Sequence, residues 1–318
     1  MKCNLSIIIP HFNCPELLEK LLSTIPEKED IQIIVVDDNS TKELKKYDAV
    51  VEKYSCRVEF FKNNTGVQSA GACRNIGLDY AKGSWVMFAD ADDYFLPQMY
   101  ESVRKYFESD MEMVIFCPTS VFLDTGEVAD RHIVEEARIK QYLDNPTYEN
   151  LLNVKRMKAP WSKIIRYSVI KDNDLRFSET IHHNDMYFVF MVGFYCKKTA
   201  VSKDKIYCIT RNKGSLTTKV TESAYDMHVQ EYIKCYQFGS KNYSKRELEQ
   251  FNLNSGSLLF EAYKRDLGIK KIVTTYKILK KNHIPLLSKQ MRKPIYLFKA
   301  IVENEKMVKK AQKYYVKG

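Results

Sequence analysis

The chain has 318 residues, of which 45% are hydrophobic and 28% charged, and a net charge of +10. That length holds one large domain or two modest ones with ample core, and no stretch approaches the roughly 18 uninterrupted apolar residues of a membrane span. Residues 264–318 carry 16 Lys/Arg against 3 Asp/Glu, a balance of +13 that leaves −3 for residues 1–263, which argues against a general nucleic-acid-binding body and for a tail that meets an anionic surface.

In chain order, Met1-Lys2-Cys3-Asn4 leads straight into an apolar run at 5–10 rather than into a signal peptide, so a cytoplasmic protein is expected. That run, closed by Pro10, predicts a buried parallel strand. Leu17, Leu18, Leu21 and Leu22 then predict a helix over 15–24. A second strand over 31–36 ends in Asp37-Asp38-Asn39-Ser40, whose side chains are expected to cap the helix that follows. A third strand over 58–61 leads to Asn63-Asn64-Thr65-Gly66 and a helix over 69–81 bearing Arg74 and Asn75, and a fourth over 85–88 runs into Asp90. This alternation predicts a doubly wound parallel sheet whose ligand crevice lies at the strand carboxyl ends, where the loops at Asn13, Asp38 and Asp90 converge.

After a helix from Pro97, a strand over 113–117 and the hairpin signal Asp124-Thr125-Gly126 make the sheet mixed. From 148 the pattern is mostly helical, with a loop over 159–163, an apolar helix over 186–194 opened by Asp185, a strand over 205–210 and a donor-rich turn over 211–215. From 224 onward only helices are expected. In a helix over 295–317, Leu297, Ile301, Val308, Ala311 and Tyr315 fall opposite Lys299, Lys306, Lys310, Lys313 and Lys317. Such a helix either lies in a membrane interface or packs on the body with its lysines solvated.

Asp90-Ala91-Asp92-Asp93 ends a buried strand in three carboxylates. Clustered oxygen ligands suit Mg2+ or Mn2+ shared with substrate phosphates, and a solvated turn capping the next helix is the plainer alternative. His182 and His183, adjacent in an extended segment, point opposite ways and share no ion. Trp161 either stacks on a sugar ring or fills core. The eight scattered cysteines lack the CxxC spacing of zinc and redox sites and read as reduced, mostly buried hydrophobes.

With these carboxylates at successive strand ends, the sequence resembles the family 2 glycosyltransferases, inverting enzymes of the GT-A fold. The motifs coincide in order: Ser6-Ile7-Ile8-Ile9-Pro10-His11-Phe12-Asn13, Val35-Val36-Asp37-Asp38-Asn39-Ser40-Thr41, Asn64-Thr65-Gly66 with Ala72-Cys73-Arg74-Asn75-Ile76-Gly77-Leu78, and the strand ending in Asp90-Ala91-Asp92-Asp93. Trp161-Ser162-Lys163, Arg176-Phe177, Asn184-Asp185, and Ile206-Tyr207 with Arg211 and Gly214-Ser215 extend the likeness over about residues 4–218.

The resemblance implies an α/β GT-A fold, a mostly parallel nucleotide-binding sheet flanked by helices with a helical basic C-terminal extension. Residues 1–220 would be the transferase domain, with a donor half at 1–125 and an acceptor half at 126–220, and 221–318 the helical region. It implies a metal-dependent transferase moving a hexosyl or N-acetylhexosaminyl group from a UDP-sugar to a hydroxyl of a glycan or lipid-linked saccharide, peripheral at the inner face of the membrane. Pro10, Phe12, Asn13, Asp38, Arg74, Asp90 and Ala91 would bind the nucleotide-sugar, Asp92 would hold Mn2+ or Mg2+, and Asp185 would be the base. Trp161, Glu179, His183 and Asn184 would line the acceptor side, although Asn184 stands where the family motif has Glu, leaving one carboxylate missing. A sugar nucleotidyltransferase is the alternative enzyme, and no glycine-rich activating loop near the first strand supports it. A glycan- or membrane-binding protein on the same scaffold is the non-catalytic alternative.

Overall fold

A continuous apolar run makes a strand covered on both faces. The first, β1 (Leu5–His11), is buried at every position but Pro10 in the computed structural model, which describes residues 2–157, 159–211 and 221–287. It is followed by α1 (Pro15–Thr24), β2 (Ile31–Asp37), α2 (Leu44–Tyr54), β3 (Val58–Lys62), α3 (Ala70–Tyr80) and β4 (Trp85–Phe88). The four strands are parallel in the order β3-β2-β1-β4, with Ile8 registered on Ile34 and on Phe88. The two-residue period sorts their side chains onto two cores. Ile7, Ile9, Val35 and Met87 pack with Leu18, Leu21 and Leu22 of α1, whereas Ile8, Ile34, Val86 and Phe88 pack with Cys73 and Leu78 of α3. Gly77 sets the closeness of α3 to the sheet: a Cβ there would lie 2.3 Å from Cγ2 of Ile8.

The chain continues through β5 (Tyr94–Phe95), α4 (Met99–Arg104), β6 (Met113–Phe122), α5 (Ile133–Asp144), α6 (Tyr148–Lys155), β7 (Lys163–Arg166), α7 (Tyr167–Asp172), α8 (Met186–Tyr195) and β8 (Thr199–Arg211). β7 runs antiparallel to both β4 and β6, and β8 lies parallel to β6 and antiparallel to β5, giving the mixed order β3-β2-β1-β4-β7-β6-β8-β5. The turn after β6 closes as expected, Gly126 N donating to the Phe122 carbonyl at 2.8 Å. Three expectations need correction. β7 takes the start of its strand from the expected loop at 159–163, and α5 occupies a stretch given no element. The tetrad from Asp37 to Ser40 does not cap α2, whose N-cap is Glu43 with no side-chain cap bond; it is held instead by the loops of the candidate site.

Lys163 opens β7 fully buried, and its Nζ donates to the carbonyls of Met157 and Ala159, each at 2.8 Å. Burial pushes its pKa down to about 7, and a neutral amine has two N–H groups for those two acceptors. Lys163→Met strands both carbonyls and is expected to cost about 1–3 kcal/mol in urea unfolding. Because the folded pKa lies below the ordinary 10.5, the unfolded chain binds the extra proton between the two values. Wild-type stability therefore gains across pH 7 to 10.5 relative to the variant. A pH-independent difference would show that the lysine stays charged.

The chain divides into two compact units between Phe238 and Gly239. The remaining helices are α9 (Glu222–Asn242), α10 (Lys245–Gln250), α11 (Ser255–Lys264) and α12 (Gly268–Lys281). Ser244 and Glu247 form a capping box at α10, and Asn254 caps α11. α11 and α12 pack together, burying Leu258, Ala262 and Leu279. The predicted amphipathic helix at 295–317 and the turn residues 212–215 lie outside the described residues. Among the described residues no helix is long and apolar enough to cross a membrane.

Candidate active site

The carboxyl ends of β1, β2 and β3 are sewn together by polar side chains. Asp38 N donates to the His11 carbonyl at 2.8 Å, and His11 Nδ1 lies 2.9 Å from Asp37 Oδ1. Burial alone would raise the Asp37 carboxyl, but hydrogen bonds from His11 and Ser40 outweigh it and hold the group below its usual range. Asn13 sits at φ +53°, a left-handed position that Asn tolerates, and its Oδ1 accepts from the backbone N–H groups of Thr41 and Lys42, each at 2.8 Å. Asn63 Nδ2 donates to Asp38 Oδ1 at 2.6 Å. Asp38 is thus a fixed, buried acceptor, while Pro10 is half-buried and Phe12 exposed.

β4 delivers Asp90, Ala91, Asp92 and Asp93 to the same edge, in three different environments. Asp93 is buried and structural: Thr210 N donates to its Oδ1 at 2.7 Å and the Tyr207 hydroxyl to its Oδ2 at 2.8 Å. The Tyr207 oxygen in turn accepts from Asp90 N at 2.8 Å, so β8 sets the shape of the acidic loop. Burial and the neighbouring Asp92 and Asp90 charges push the Asp93 carboxyl well above its ordinary value. Asp92 is raised by burial and then by Asp90. Asp90 is instead paired, accepting from Arg74 NH2 at 2.6 Å.

Arg74 reaches beyond the acidic loop. Its other terminal nitrogen, NH1, donates to Asn184 Oδ1 at 2.9 Å, its Nε is buried with no hydrogen-bond partner among the described residues, and its guanidinium lies 5.3 Å from the centroid of the Phe177 ring. One buried cation therefore joins the acidic loop to the residue before Asp185. The rest of α3 straps down the same segment. Ser69 Oγ donates to the Thr180 carbonyl at 2.8 Å, Asn75 Nδ2 to the Phe177 carbonyl at 3.0 Å, and Phe177 N back to Asn75 Oδ1 at 2.8 Å. Gly71 allows the approach, since a Cβ there would lie 2.2 Å from the Ser178 carbonyl oxygen.

Asp185 stands at the N-cap of α8 in helical backbone geometry and makes no side-chain cap bond to that helix. Asn184 is buried, its amide used at both ends, with Nδ2 donating to the Thr180 carbonyl at 3.1 Å; it holds the loop. Exposed Glu179 accepts from Asn75 Nδ2 at 3.4 Å. His183 is not in extended backbone but at φ +58°, and its ring stacks on His228 of α9 at 4.4 Å. Trp161 is core, stacked on buried Tyr207 at 5.9 Å and 14°.

The family model of glycosyl transferase family 2 matches residues 6–172. The chain belongs to that family. It is 25% identical over 233 residues to the putative glycosyltransferase EpsH of Bacillus subtilis, a match covering 70% of this chain and 64% of EpsH, so it spans under two thirds of that protein's length. The fold is similar to Staphylococcus aureus TarS 1–349 in complex with UDP-GlcNAc, at a TM-score of 0.67 and 18% identity over 86% of this chain and 79% of that one. TarS is a poly(ribitol-phosphate) beta-N-acetylglucosaminyltransferase. The mannosyltransferase PcManGT of Pyrobaculum calidifontis, in complex with GDP-Man and Mn2+, matches at a TM-score of 0.54 and 11% identity over 88% of this chain and 76% of that one. The chain is thus a family 2 member with a GT-A type fold.

In this fold, Asp90 and Asp92 fit a hard divalent cation. Their donors are oxygens only, and burial with mutual repulsion leaves Asp92 short of positive charge. Asp93 does not fit, because both its oxygens already accept protein hydrogen bonds. Among the described residues no three Asp, Glu, His or Cys side chains gather into a metal cage, and ions of the Mg2+ class are ordinarily held by one or two carboxylates plus substrate phosphates. Sequence reasoning assigned no role to Tyr207, Thr210, Ser69 or Asn75. Tyr207 and Asn75 carried a signal, since both lie inside motifs of the resemblance. Glu231 carried none: it is buried in α9, accepts from Ser178 Oγ at 2.7 Å and pairs with Lys234 at 2.7 Å, bracing the segment that leads to Asp185.

Proposed function

We propose that this transferase moves a sugar from a nucleotide-sugar, a UDP-sugar first among them, to a hydroxyl of a glycan or lipid-linked saccharide, with inversion at the anomeric carbon. The observation that carries the reading is the Arg74 fork, which ties the Asp90 loop to the segment bearing Asp185. Donor and base residues on one rigid support are what an in-line displacement needs. Asp38 receives a hydrogen bond from the base of the nucleotide, Pro10, Phe12, Asn13 and Ala91 line its pocket, and Asp90 meets the ribose or the metal shell.

Asp92 holds Mn2+ or Mg2+, which when bound supplies positive charge to the departing diphosphate. Asp185 takes the proton of the acceptor hydroxyl as its oxygen bonds to the anomeric carbon, while the carbon–phosphate oxygen bond breaks and nucleoside diphosphate leaves. The likeness to TarS supports UDP-GlcNAc as the first donor to test. The +13 balance of residues 264–318 supports work at the inner face of the cell membrane.

Thermal shift with UDP-GlcNAc, UDP-glucose, UDP-galactose and GDP-mannose, each with Mn2+, tests the donor. A preferred donor at 100 times its Kd stabilises by about 2.7 kcal/mol, and nucleoside diphosphate release should follow when a saccharide acceptor is added. Pyrophosphate release from a nucleoside triphosphate and a sugar phosphate would make the protein a nucleotidyltransferase. Absence of any nucleotide-sugar effect would make the scaffold non-catalytic.

A further inference from the structure

α12 has a solvent face that its packing does not explain. Thr275 and Leu279 fill its inner side at 2% and 0% exposure, yet Ile269, Val273 and Tyr276 stay 71%, 43% and 39% exposed. At about 100° per residue these three fall within an arc of about 60°, so they form one stripe rather than the singly scattered apolar residues of any surface. Phe260 and Tyr263 of α11 are exposed as well, their rings stacked 6.4 Å apart. Along α12 itself the charge has one sign. The helix carries five lysines and no acidic residue, and Lys280 lies in the stripe while Lys277 and Lys270 border it.

We propose that this face of α12, Ile269, Val273 and Tyr276 with Lys270, Lys277 and Lys280, docks flat on anionic lipid. The aliphatic and aromatic side chains enter the boundary between headgroups and acyl chains, and the lysine stems lie along the apolar stripe while their ammonium groups meet phosphate. A second copy of the chain is a poor occupant, because a two-fold contact would set this all-positive face against itself. The surface is independent of the catalytic reading, and it belongs to the described residues rather than to the tail from 288 onward.

Co-sedimentation of the full chain with vesicles tests it. The chain should bind phosphatidylcholine vesicles containing about one part in three phosphatidylglycerol, weaken as salt rises, and ignore phosphatidylcholine alone. The triple variant Ile269→Ser, Val273→Ser, Tyr276→Ser and the triple variant Lys270→Glu, Lys277→Glu, Lys280→Glu should each lose tenfold or more in vesicle partition. Both should keep the wild-type thermal shift with a nucleotide-sugar, which separates failure of the surface from failure of the catalytic reading. The charge-reversed variant alters only exposed side chains and decides the matter if the serine variant does not fold. No binding by wild type, equal binding to neutral vesicles, or unchanged binding by the charge-reversed variant would overturn the proposal. So would a variant that changes the oligomeric state in sedimentation but not vesicle binding, which would make the face a contact between copies.

Discussion

Asp185→Asn is expected to lower kcat for sugar transfer by roughly 10²–10⁴-fold, the usual share of a general base, with donor affinity unchanged. The competing role for this carboxylate is electrostatic support of its own helix. Asp185 occupies the N-cap of α8, but its backbone is helical rather than extended and its side chain does not cap the helix. Loss of a charge at a helix N-terminus costs about 1 kcal/mol or less, so the variant should unfold near the wild-type denaturant midpoint. The pairing of a large kinetic loss with a small stability loss identifies a base. If transfer persists within about tenfold of wild type, the proton goes elsewhere, and Glu179, exposed and lightly held by Asn75, is the next residue to remove. Nucleoside diphosphate release under saturating donor, beside urea unfolding, reads both quantities.

What the sequence made legible follows from how local each signal is. Pro15–Thr24 and Trp85–Phe88 were found at their bounds because a leucine stripe and a buried run each announce themselves within ten residues. β7 was hidden because it has four residues, begins with a lysine, and exists only by pairing with β4 and β6 on either side of it. α5 was hidden because Ile139 is its only buried residue, so its apolar periodicity is faint. In the site, residue types were legible and partners were not. Arg74 was expected, with Asp90, among the residues that bind the nucleotide-sugar; it bonds to Asp90, and its second bond goes to a residue 110 positions away. Asn184 replaces a carboxylate of the family motif with an amide that both accepts from Arg74 and donates to a carbonyl, a two-way role visible only once the loop is folded. Asp93 was counted among the three carboxylates of the strand end and given no role of its own; Tyr207 and Thr210, more than 110 residues downstream, make it a structural group.

Asp92→Asn is expected to move stability and activity in opposite directions. The Asp92 carboxyl is raised from its ordinary 3.8, first by burial and then by the Asp90 charge, so its ionised form is a cost to the folded chain. Asparagine keeps the shape and removes the charge, and the metal-free variant should be more stable at neutral pH by about 0.5–2 kcal/mol, the usual gain from relieving a strained functional position. The sign with pH follows from the raised folded value: native Asp92 holds its proton where the unfolded chain has released it. The wild-type penalty is therefore full above the folded pKa and vanishes below about 3.8. The advantage of the variant should close as the solution is acidified. Transfer should fall by about 10²–10³-fold, comparable to loss of one preorganised stabiliser of leaving-group charge, and the thermal shift that Mn2+ gives wild type in the presence of nucleoside diphosphate should disappear. A variant that is destabilised at neutral pH, or that keeps the Mn2+ shift, would place the cation on other ligands and return Asp92 to the role of a turn residue. A variant that keeps activity but loses the shift would show a transferase whose own cations, Arg74 first, carry the leaving group without a metal.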